Sequence, residues 1–239
     1  MSNAVKFLAS LHPYFLTSLT IAFSHHMLYP KTIMIKNLKS RFIVLDGPDG
    51  CGKSLQVKLL AEYLKKNKLK VSCFRDPGST ATGEKIRKIL LDPANHIGDR
   101  AELLLYMASR AQLWQECIAP ALKKKNCVLL DRWLSSTCAY QGFAGGLGIA
   151  KVLDIAEHSL ERVWPDLTII LDVDLRTARA RMNRGLDRME QKAAIYHKKV
   201  RAGFIELAEC RKDIVVIDAS DDIKAVHKKV IQIIQSFFK

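Results

Sequence analysis

An eight-residue segment near position 50 has the composition and spacing of a phosphate-binding loop. It reads Gly47-Pro48-Asp49-Gly50-Cys51-Gly52-Lys53-Ser54 and matches the pattern G-x-x-x-x-G-K-S/T. Glycine lets the backbone curl tightly, so that consecutive N–H groups can point at phosphate oxygens. In such a loop the lysine holds the β- and γ-phosphates and the hydroxyl ligates Mg²⁺. The segment therefore predicts a nucleotide site formed by Gly47, Asp49, Gly50, Cys51, Gly52, Lys53 and Ser54.

The segments around this loop are those that such a site requires. A buried strand is predicted at Phe42–Asp46, just before the loop, and an amphipathic helix at Lys53–Lys66, just after it. The first turn of that helix would add the positive end of its dipole to the phosphate site. The chain carries no N-K-x-D guanine motif, which favours ATP over GTP as the nucleotide.

From Arg41 onward, short apolar runs alternate with segments of helical spacing, a pattern typical of a parallel α/β sheet. Five runs are predicted to be strands: Phe42–Asp46, Val71–Phe74, Cys127–Asp131, Leu167–Asp172 and Ile214–Asp218. Their continuous apolar character indicates a sheet covered on both faces. The predicted helices are Lys53–Lys66, Glu84–Leu91, Ala101–Leu122, Ile149–Leu160, Leu175–Arg184, Arg188–Cys210 and Ile223–Phe238. The expected fold is a three-layer α/β/α P-loop NTPase domain over residues 41–239, with nucleotides across the carboxyl ends of the strands.

Several further segments resemble those of the thymidylate kinase family and follow one another in that family's order. They are Arg75-Asp76-Pro77-Gly78-Ser79-Thr80 (similar to R-E-P-G-G-T), the helix from Glu102 to Gln112, Asp131-Arg132-Trp133 (similar to D-R-Y), Ser136 to Gly142 (similar to S-T-x-A-Y-Q-G) and the lid from Arg184 to Glu190. Each match alone is weak, but together they cover nearly all of residues 41–239. The resemblance implies a nucleoside monophosphate kinase that phosphorylates dTMP to dTDP with ATP and Mg²⁺, a step of dTTP biosynthesis.

The resemblance also implies how dTMP is bound. Forked arginine donors suit a monophosphate dianion, and Arg75 and Arg132 are the candidates for that clamp. Tyr106 would stack on the base, and Arg110 with Thr137 would hydrogen-bond the thymine edge. Asp49 would accept from the 3′-hydroxyl, and Tyr140 would lie where a ribose 2′-hydroxyl would sit. The residues expected to bind dTMP are Asp49, Arg75, Tyr106, Arg110, Arg132, Thr137, Tyr140 and Gln141.

The remaining expected roles concern the metal and the transferred phosphoryl group. Asp131 ends an apolar strand beside the loop, where an acid can reach Mg²⁺ or its waters, so Ser54 and Asp131 are the candidate metal ligands. The lid, around residues 181–190, carries three arginines. Because Cys51 and no arginine fills the variable loop position, the chain resembles the bacterial type, in which lid arginines stabilise the transition state. Arg181 is thus expected to bind ATP, and the expected catalytic residues are Lys53, Arg132, Arg184 and Arg188.

A few positions depart from the family pattern. Leu55 stands where the family usually has Thr, Asp76 replaces Glu, Ser79 replaces Gly and Trp133 replaces Tyr. An arginine that many relatives carry near Gly145 is absent. Leu55 is expected to cause little loss, because Lys53 and Ser54 remain. The missing arginine is expected to affect how the acceptor is positioned and not the type of reaction.

The net charge of +14 also fits a second class of protein, a P-loop ATPase that binds nucleic acid. Such a protein would show a basic stripe with interleaved aromatic residues, and the chain has none, so neither nucleic acid nor membrane is an expected partner. The residues also fit a kinase for a different nucleotide, or a degenerate family member without turnover. The resemblance carries the expectation of a homodimer. The apolar helix Ala101–Leu122 is the candidate for part of the interface, and a core helix would show the same pattern.

Residues 1–40 differ from the rest, with four lysines and no acid. The apolar stretch from Phe7 to Ser24 is broken by His12 and Pro13 and fits neither a bilayer span nor a secretory signal. We interpret residues 1–40 as an extension of unknown role, with translation starting at Met27 or Met34 as the favoured explanation over a weak targeting peptide or a flexible arm. The six cysteines form no C-x-x-C pair, which predicts reduced thiols and a cytoplasmic protein.

Overall fold

The structure is a computed structural model that describes residues 35–182 and 185–239. Five parallel strands form one sheet in the order β2-β3-β1-β4-β5. They are β1 (Phe42–Asp46), β2 (Val71–Arg75), β3 (Cys127–Asp131), β4 (Leu167–Asp172) and β5 (Ile214–Asp218). The predicted fold class and the five predicted strands are confirmed. Most of the predicted extension, residues 1–34, lies outside the described residues.

The central strands β1, β3 and β4 are buried along nearly their whole length, as expected for a sheet covered on both faces. In the register of the sheet Leu45 pairs with Asp131, and Asp46 pairs with Ile170. The carboxyl ends of β1 and β3 therefore lie side by side, and the segments that follow these strands meet at one edge.

Helices cover both faces of the sheet. They are α1 (Lys53–Lys66), α2 (Ala81–Leu91), α3 (Asp99–Leu113), α4 (Ala119–Lys123), α5 (Leu134–Thr137), α6 (Ile149–Ser159), α7 (Leu175–Ala180), α8 (Ala194–Glu209) and α9 (Ile223–Phe237). A side-chain oxygen caps the first turn of α2 from Thr80, of α7 from Asp174 and of α9 from Asp222. None of the helices in the described ranges is long and apolar enough to cross a bilayer.

The predicted helix Ala101–Leu122 is interrupted in the structure. After α3 the chain forms a π-helical turn, Trp114–Ile118, and then resumes as α4. Pro120 explains the break, because proline has no N–H to continue the ladder and its ring clashes with the carbonyl four residues earlier. A second π-helical segment, Cys138–Ala144, follows α5 in a region for which we predicted no helix.

Two predicted helix boundaries on either side of the lid were wrong. The helix predicted as Leu175–Arg184 ends at Ala180, and the one predicted to begin at Arg188 begins at Ala194. Asp187 accounts for the later start, since its carboxylate accepts from the N–H groups of Met189 (2.9 Å) and Glu190 (3.0 Å). Such local side-chain bonds give the backbone an alternative to a helix.

Two apolar cores lie on opposite faces of the sheet, because successive strand residues point to opposite sides. One core joins Phe42 and Val44 of β1 to α3, α5, α6 and α8. The other joins Ile43 and Leu45 to α1 and α9. We call them the α8 core and the α1 core.

Phe204 offers a test of the α8 core. Its ring is fully buried on α8, 6.2 Å from the ring of Tyr140. Phe204→Ala is expected to lower the free energy of unfolding by about 3–5 kcal/mol, because it removes buried apolar surface and leaves a cavity. The matched control is Ile195→Ala on the same helix, where the side chain is 63% exposed and the expected change is within about 0.5 kcal/mol. Urea unfolding followed by circular dichroism measures both, and similar losses would contradict this description of the core.

Candidate active site

A cavity of about 980 Å³ opens where the segments after β1, β2, β3 and β5 meet. Most of the residues predicted to bind nucleotides line it. They are Asp49, Gly50, Cys51, Gly52, Lys53, Ser54, Arg75, Tyr106, Arg110, Asp131, Arg132, Thr137, Tyr140, Gln141 and Arg181. Gly47 and Arg188 are not part of the lining, and Arg184 lies outside the described residues. The cavity thus brings together side chains that the sequence predicts for both a donor and an acceptor.

The phosphate loop joins β1 to α1 and requires glycine at two crowded positions. Gly47 and Gly50 have φ of 136° and 79°, which only glycine adopts readily. A Cβ added at Gly50 would lie 2.2 Å from the carbonyl oxygen of Ala178 on α7. The loop therefore passes close beneath α7, and its curvature leaves no room for a side chain there.

Lys53 and Ser54 begin α1 on the inner side of this loop. The ammonium of Lys53 donates to the carbonyl oxygens of Pro48 (2.7 Å) and Gly47 (3.1 Å), so it sits within the curve of the loop. The hydroxyl of Ser54 donates to the carboxylate of Asp131, at the end of β3. The two side chains predicted as metal ligands are therefore in contact.

The donor set at this contact fits Mg²⁺. A serine hydroxyl and a carboxylate are hard oxygen ligands, and Mg²⁺ commonly binds one or two such protein ligands together with substrate phosphates and water. Both side chains line the cavity. In the part of the chain that the structure describes, no group of three His, Cys, Asp or Glu side chains is placed to hold a metal ion.

Asp49, Arg132 and Tyr140 form a charged cluster opposite Lys53. The guanidinium of Arg132 is paired with the Asp49 carboxylate, which also accepts from the Tyr140 hydroxyl at 2.6 Å. Burial raises the pKa of Asp49, but the charges of Arg132 and Lys53 outweigh it and hold that pKa below its usual value. Burial, followed by the charge of Asp49, raises the pKa of Tyr140 well above its usual value. The cluster therefore presents an ionised Asp49 and a protonated Tyr140 to the cavity.

Arg110 lies deeper, in a fully buried ion pair with Asp76. Its Nε and Nη2 donate to one carboxylate oxygen of Asp76 at 2.8 Å and 2.5 Å, and Nη2 also donates to Thr137 at 2.9 Å. Its guanidinium lies 5.1 Å from the ring of Trp133. These contacts hold Arg110 and Thr137 together on one wall of the cavity. Tyr106 lines the same cavity, and burial together with Glu102 raises the pKa of its phenol.

Arg75 and Arg87 bring further positive charge to the acceptor side of the cavity. Arg75 is 52% exposed and pairs with Glu84 at 2.9 Å. Arg87, which the sequence analysis missed, lines the cavity and donates to the carbonyl oxygen of Pro77 at 3.0 Å. Glu84 is the partner of Arg75, and Arg87 follows Glu84 by three residues, so it lies on the same face of α2. This spacing was the signal in the sequence that could have identified Arg87.

The lid arginines have different partners. Arg181 donates to the carbonyl oxygens of Ala219 (2.9 Å) and Ser220 (3.0 Å), which binds the lid to the segment after β5. Arg188 pairs with the buried carboxylate of Glu102 and donates to Leu90 O at 2.7 Å. Arg188 is therefore bound to α2 and α3 and does not line the cavity.

A parallel sheet in the order 2-3-1-4-5, with a glycine-rich loop between β1 and α1, defines a P-loop NTPase fold. The cavity beside this loop is also lined by arginines from other segments, among them Arg75, Arg110 and Arg132.

Three comparisons identify the family. The thymidylate kinase family model matches residues 45–230. The thymidylate kinase of Thermoanaerobacter sp. (strain X514) is 44% identical over 202 residues, which cover 84% of this chain and 100% of that protein. The thymidylate kinase of Kosmotoga olearia is 44% identical over 80% of this chain and 93% of that protein. A crystal structure of thymidylate kinase from Ehrlichia chaffeensis has a TM-score of 0.67 at 32% identity and covers 82% of this chain and 99% of its own. The chain belongs to the thymidylate kinase family and is a kinase of nucleotide biosynthesis.

The buried pair of Arg110 and Asp76 generates a prediction about stability. Asp76→Asn is expected to lower the free energy of unfolding by about 3–5 kcal/mol, because it leaves the guanidinium buried without its counter-ion. The control is Asp221→Asn, which removes a carboxylate that is 51% exposed and paired with Lys229, with an expected loss below about 1 kcal/mol. Denaturant titrations of both variants check this. If Asp76→Asn were as stable as Asp221→Asn, the ion pair would not stabilise this wall of the cavity.

Proposed function

We propose that this chain transfers the γ-phosphoryl group of ATP to dTMP, giving ADP and dTDP, with Mg²⁺ at the phosphate loop. One observation carries the proposal: a single cavity is lined both by Lys53 and Ser54 of the phosphate loop and by Tyr106, Arg110 and Arg132. Its family membership and its thymidylate kinase relatives support dTMP as the acceptor.

At the donor end, the loop N–H groups and the first turn of α1 bind the β- and γ-phosphates of ATP. Gly52 precedes α1 with no side chain capping that turn, so its N–H groups can face phosphate. Lys53 places its ammonium beside the same oxygens. Arg181 supports the donor indirectly, by holding the segment after β5, where Ala219 lines the cavity.

Ser54 and Asp131 would hold Mg²⁺ at this end. When bound there, the ion would supply positive charge that offsets the negative charge on the phosphate oxygens during transfer. Ser54 would supply its hydroxyl oxygen, and Asp131 would bind directly or through water.

At the acceptor end, Arg132 and Arg75 bind the monophosphate of dTMP and aim its oxygen at the γ-phosphorus. Tyr106 stacks on the thymine ring, while Arg110 and Thr137 hydrogen-bond its edge. Because a phosphate monoester dianion is already nucleophilic, no strong general base is needed.

Three further residues complete the acceptor site in this proposal. Asp49 stays ionised and accepts from the 3′-hydroxyl of the sugar. Tyr140 and Gln141 line the sugar side, and Tyr140 leaves no space for a 2′-hydroxyl, which disfavours ribonucleotides. The low pKa of Asp49 supports its role as an acceptor at neutral pH.

The lid supplies positive charge to the transferred group. A positioned arginine stabilises the charge that spreads over the equatorial oxygens in the transition state. We assign this role to Arg184 and Arg188, with Arg188 exchanging Glu102 for phosphate as the lid closes. Closure also excludes water, which would otherwise hydrolyse ATP.

We further infer a homodimer that works in the cytoplasm. Leu104 on α3 is 56% exposed, which supports this helix as part of a subunit interface. All six cysteines are free thiols, in keeping with a reducing compartment.

The decisive experiment is ADP release by the purified protein with ATP and Mg²⁺. The acceptors are dTMP, dUMP, dCMP, dGMP, AMP, UMP and thymidine. We expect turnover that strongly favours dTMP, and a loss of roughly 100-fold or more in kcat for Lys53→Ala, because charge stabilisation of the transferred group is removed. Lys58→Ala, an exposed lysine on the same helix, is the matched control and should retain full activity.

Each remaining outcome would reject part of the proposal. Preference for another acceptor would keep the phosphoryl transfer and reject the roles of Tyr106, Arg110 and Thr137. Tight ATP binding without turnover on any acceptor would reject the kinase activity of this chain.

A further inference from the structure

The carboxylate of Asp46 lies at the end of β1, fully buried and directly before the phosphate loop. Its hydrogen-bond donors come from the segment that follows β3 and from Gly47, the next residue in the chain. The donors within 3.0 Å are Gly47 N (2.8 Å), Ser135 Oγ (2.5 Å), Ser136 N (2.9 Å) and Ser136 Oγ (2.6 Å). A buried carboxylate with four donors is a rigid anchor, because moving these donors away would leave a buried charge unpaired.

Ser136 connects this anchor to Arg132. A serine hydroxyl has a single proton, and Ser136 donates it to Asp46 Oδ1, so the lone pairs of Ser136 Oγ remain available as acceptors. Arg132 Nη1 donates to Ser136 Oγ at 2.9 Å. The direct contact between the Arg132 guanidinium and the Asp46 carboxylate is longer than the hydrogen bond to Ser136, with Nη1 3.7 Å from Asp46 Oδ1. The hydroxyl therefore relays the position of Asp46 to the guanidinium.

The backbone of Arg132 needs such support. Its φ is +68°, a left-handed conformation that costs a non-glycine residue free energy and persists only where surrounding contacts impose it. The Arg132 N–H donates to Leu45 O at 3.1 Å, and Nη1 also donates to Gly47 O at 3.2 Å. Both ends of the residue are thus fixed to the strand and loop that hold the donor nucleotide.

We propose that Ser136 is a positioning residue for phosphoryl transfer, relaying the buried carboxylate of Asp46 to Arg132 so that this arginine meets the acceptor phosphate in register with the phosphate loop. The inference rests on the proposed function, in which Arg132 binds the phosphate of dTMP. Ser136 acts through Arg132, whereas Ser135 donates to the same carboxylate and makes no hydrogen bond to Arg132.

The test compares the dissociation constants of dTMP and thymidine, which differ only by the phosphate, by calorimetry or NMR titration. Ser136→Ala is expected to weaken dTMP binding about 5- to 20-fold, the effect of one charge-assisted hydrogen bond, and to leave thymidine binding unchanged. Ser136→Thr keeps the hydroxyl and should restore the preference for dTMP. Ser135→Ala is the matched control and should keep the wild-type ratio of the two constants.

A second comparison separates a relay from a direct contact between Ser136 and phosphate. In an Arg132→Gln background, which should have lost most of the preference for dTMP over thymidine, Ser136→Ala should cause no further loss. A further loss of the same size, or equal weakening of dTMP and thymidine in Ser136→Ala alone, would overturn the relay. If the wild-type protein showed no preference for dTMP over thymidine, the proposed function and this inference would fail together. An intact preference in wild type that survives Ser136→Ala would reject the inference alone.

Discussion

The arrangement of the site depends on one buried charge, the carboxylate of Asp46. A carboxylate removed from water is costly unless every oxygen finds a donor, and the donors here come from the loop before α1 and the segment after β3. Strands β1 and β3 are neighbours in the sheet, so the carboxylate reaches both without distortion. The two segments that carry Lys53 and Arg132 are therefore fixed with respect to each other before any nucleotide binds. Preorganisation of this kind avoids reorganising charged groups during the reaction.

Three arginines that line the cavity are paired with carboxylates. Arg132 pairs with Asp49, Arg110 with Asp76 and Arg75 with Glu84. These pairs limit repulsion among the basic groups of a chain with a net charge of +14. The ammonium of Lys53 is held instead by two carbonyl oxygens of the phosphate loop.

The sequence was sufficient to predict the strands and most of the residues that line the cavity, because both depend on patterns within short segments of the chain. Continuous apolar runs define the strands, and motif spacing places the residues that follow them. The helical segment Leu134–Ala144 was not predicted, because its first turn is anchored by Asp46, 90 residues away from Ser136 in the chain. The contact between Arg188 and Glu102, 86 residues apart, is equally long-range. The residue pattern of a short segment indicates the secondary structure that the segment prefers. Contacts between residues far apart in the chain form only when the whole chain folds, so such a pattern does not predict them.

The division of the apolar interior into two cores has a consequence for how this architecture diversifies. The α8 core underlies Tyr106, Thr137 and Tyr140, whereas the α1 core underlies the phosphate loop. The sheet separates them, so a mutation that repacks one core reaches the other only through strands that are themselves rigid. Compensating substitutions in the α8 core can therefore change the surroundings of Tyr140 without changing the packing behind the phosphate loop. The sheet thereby separates two halves of the domain whose packing can change independently.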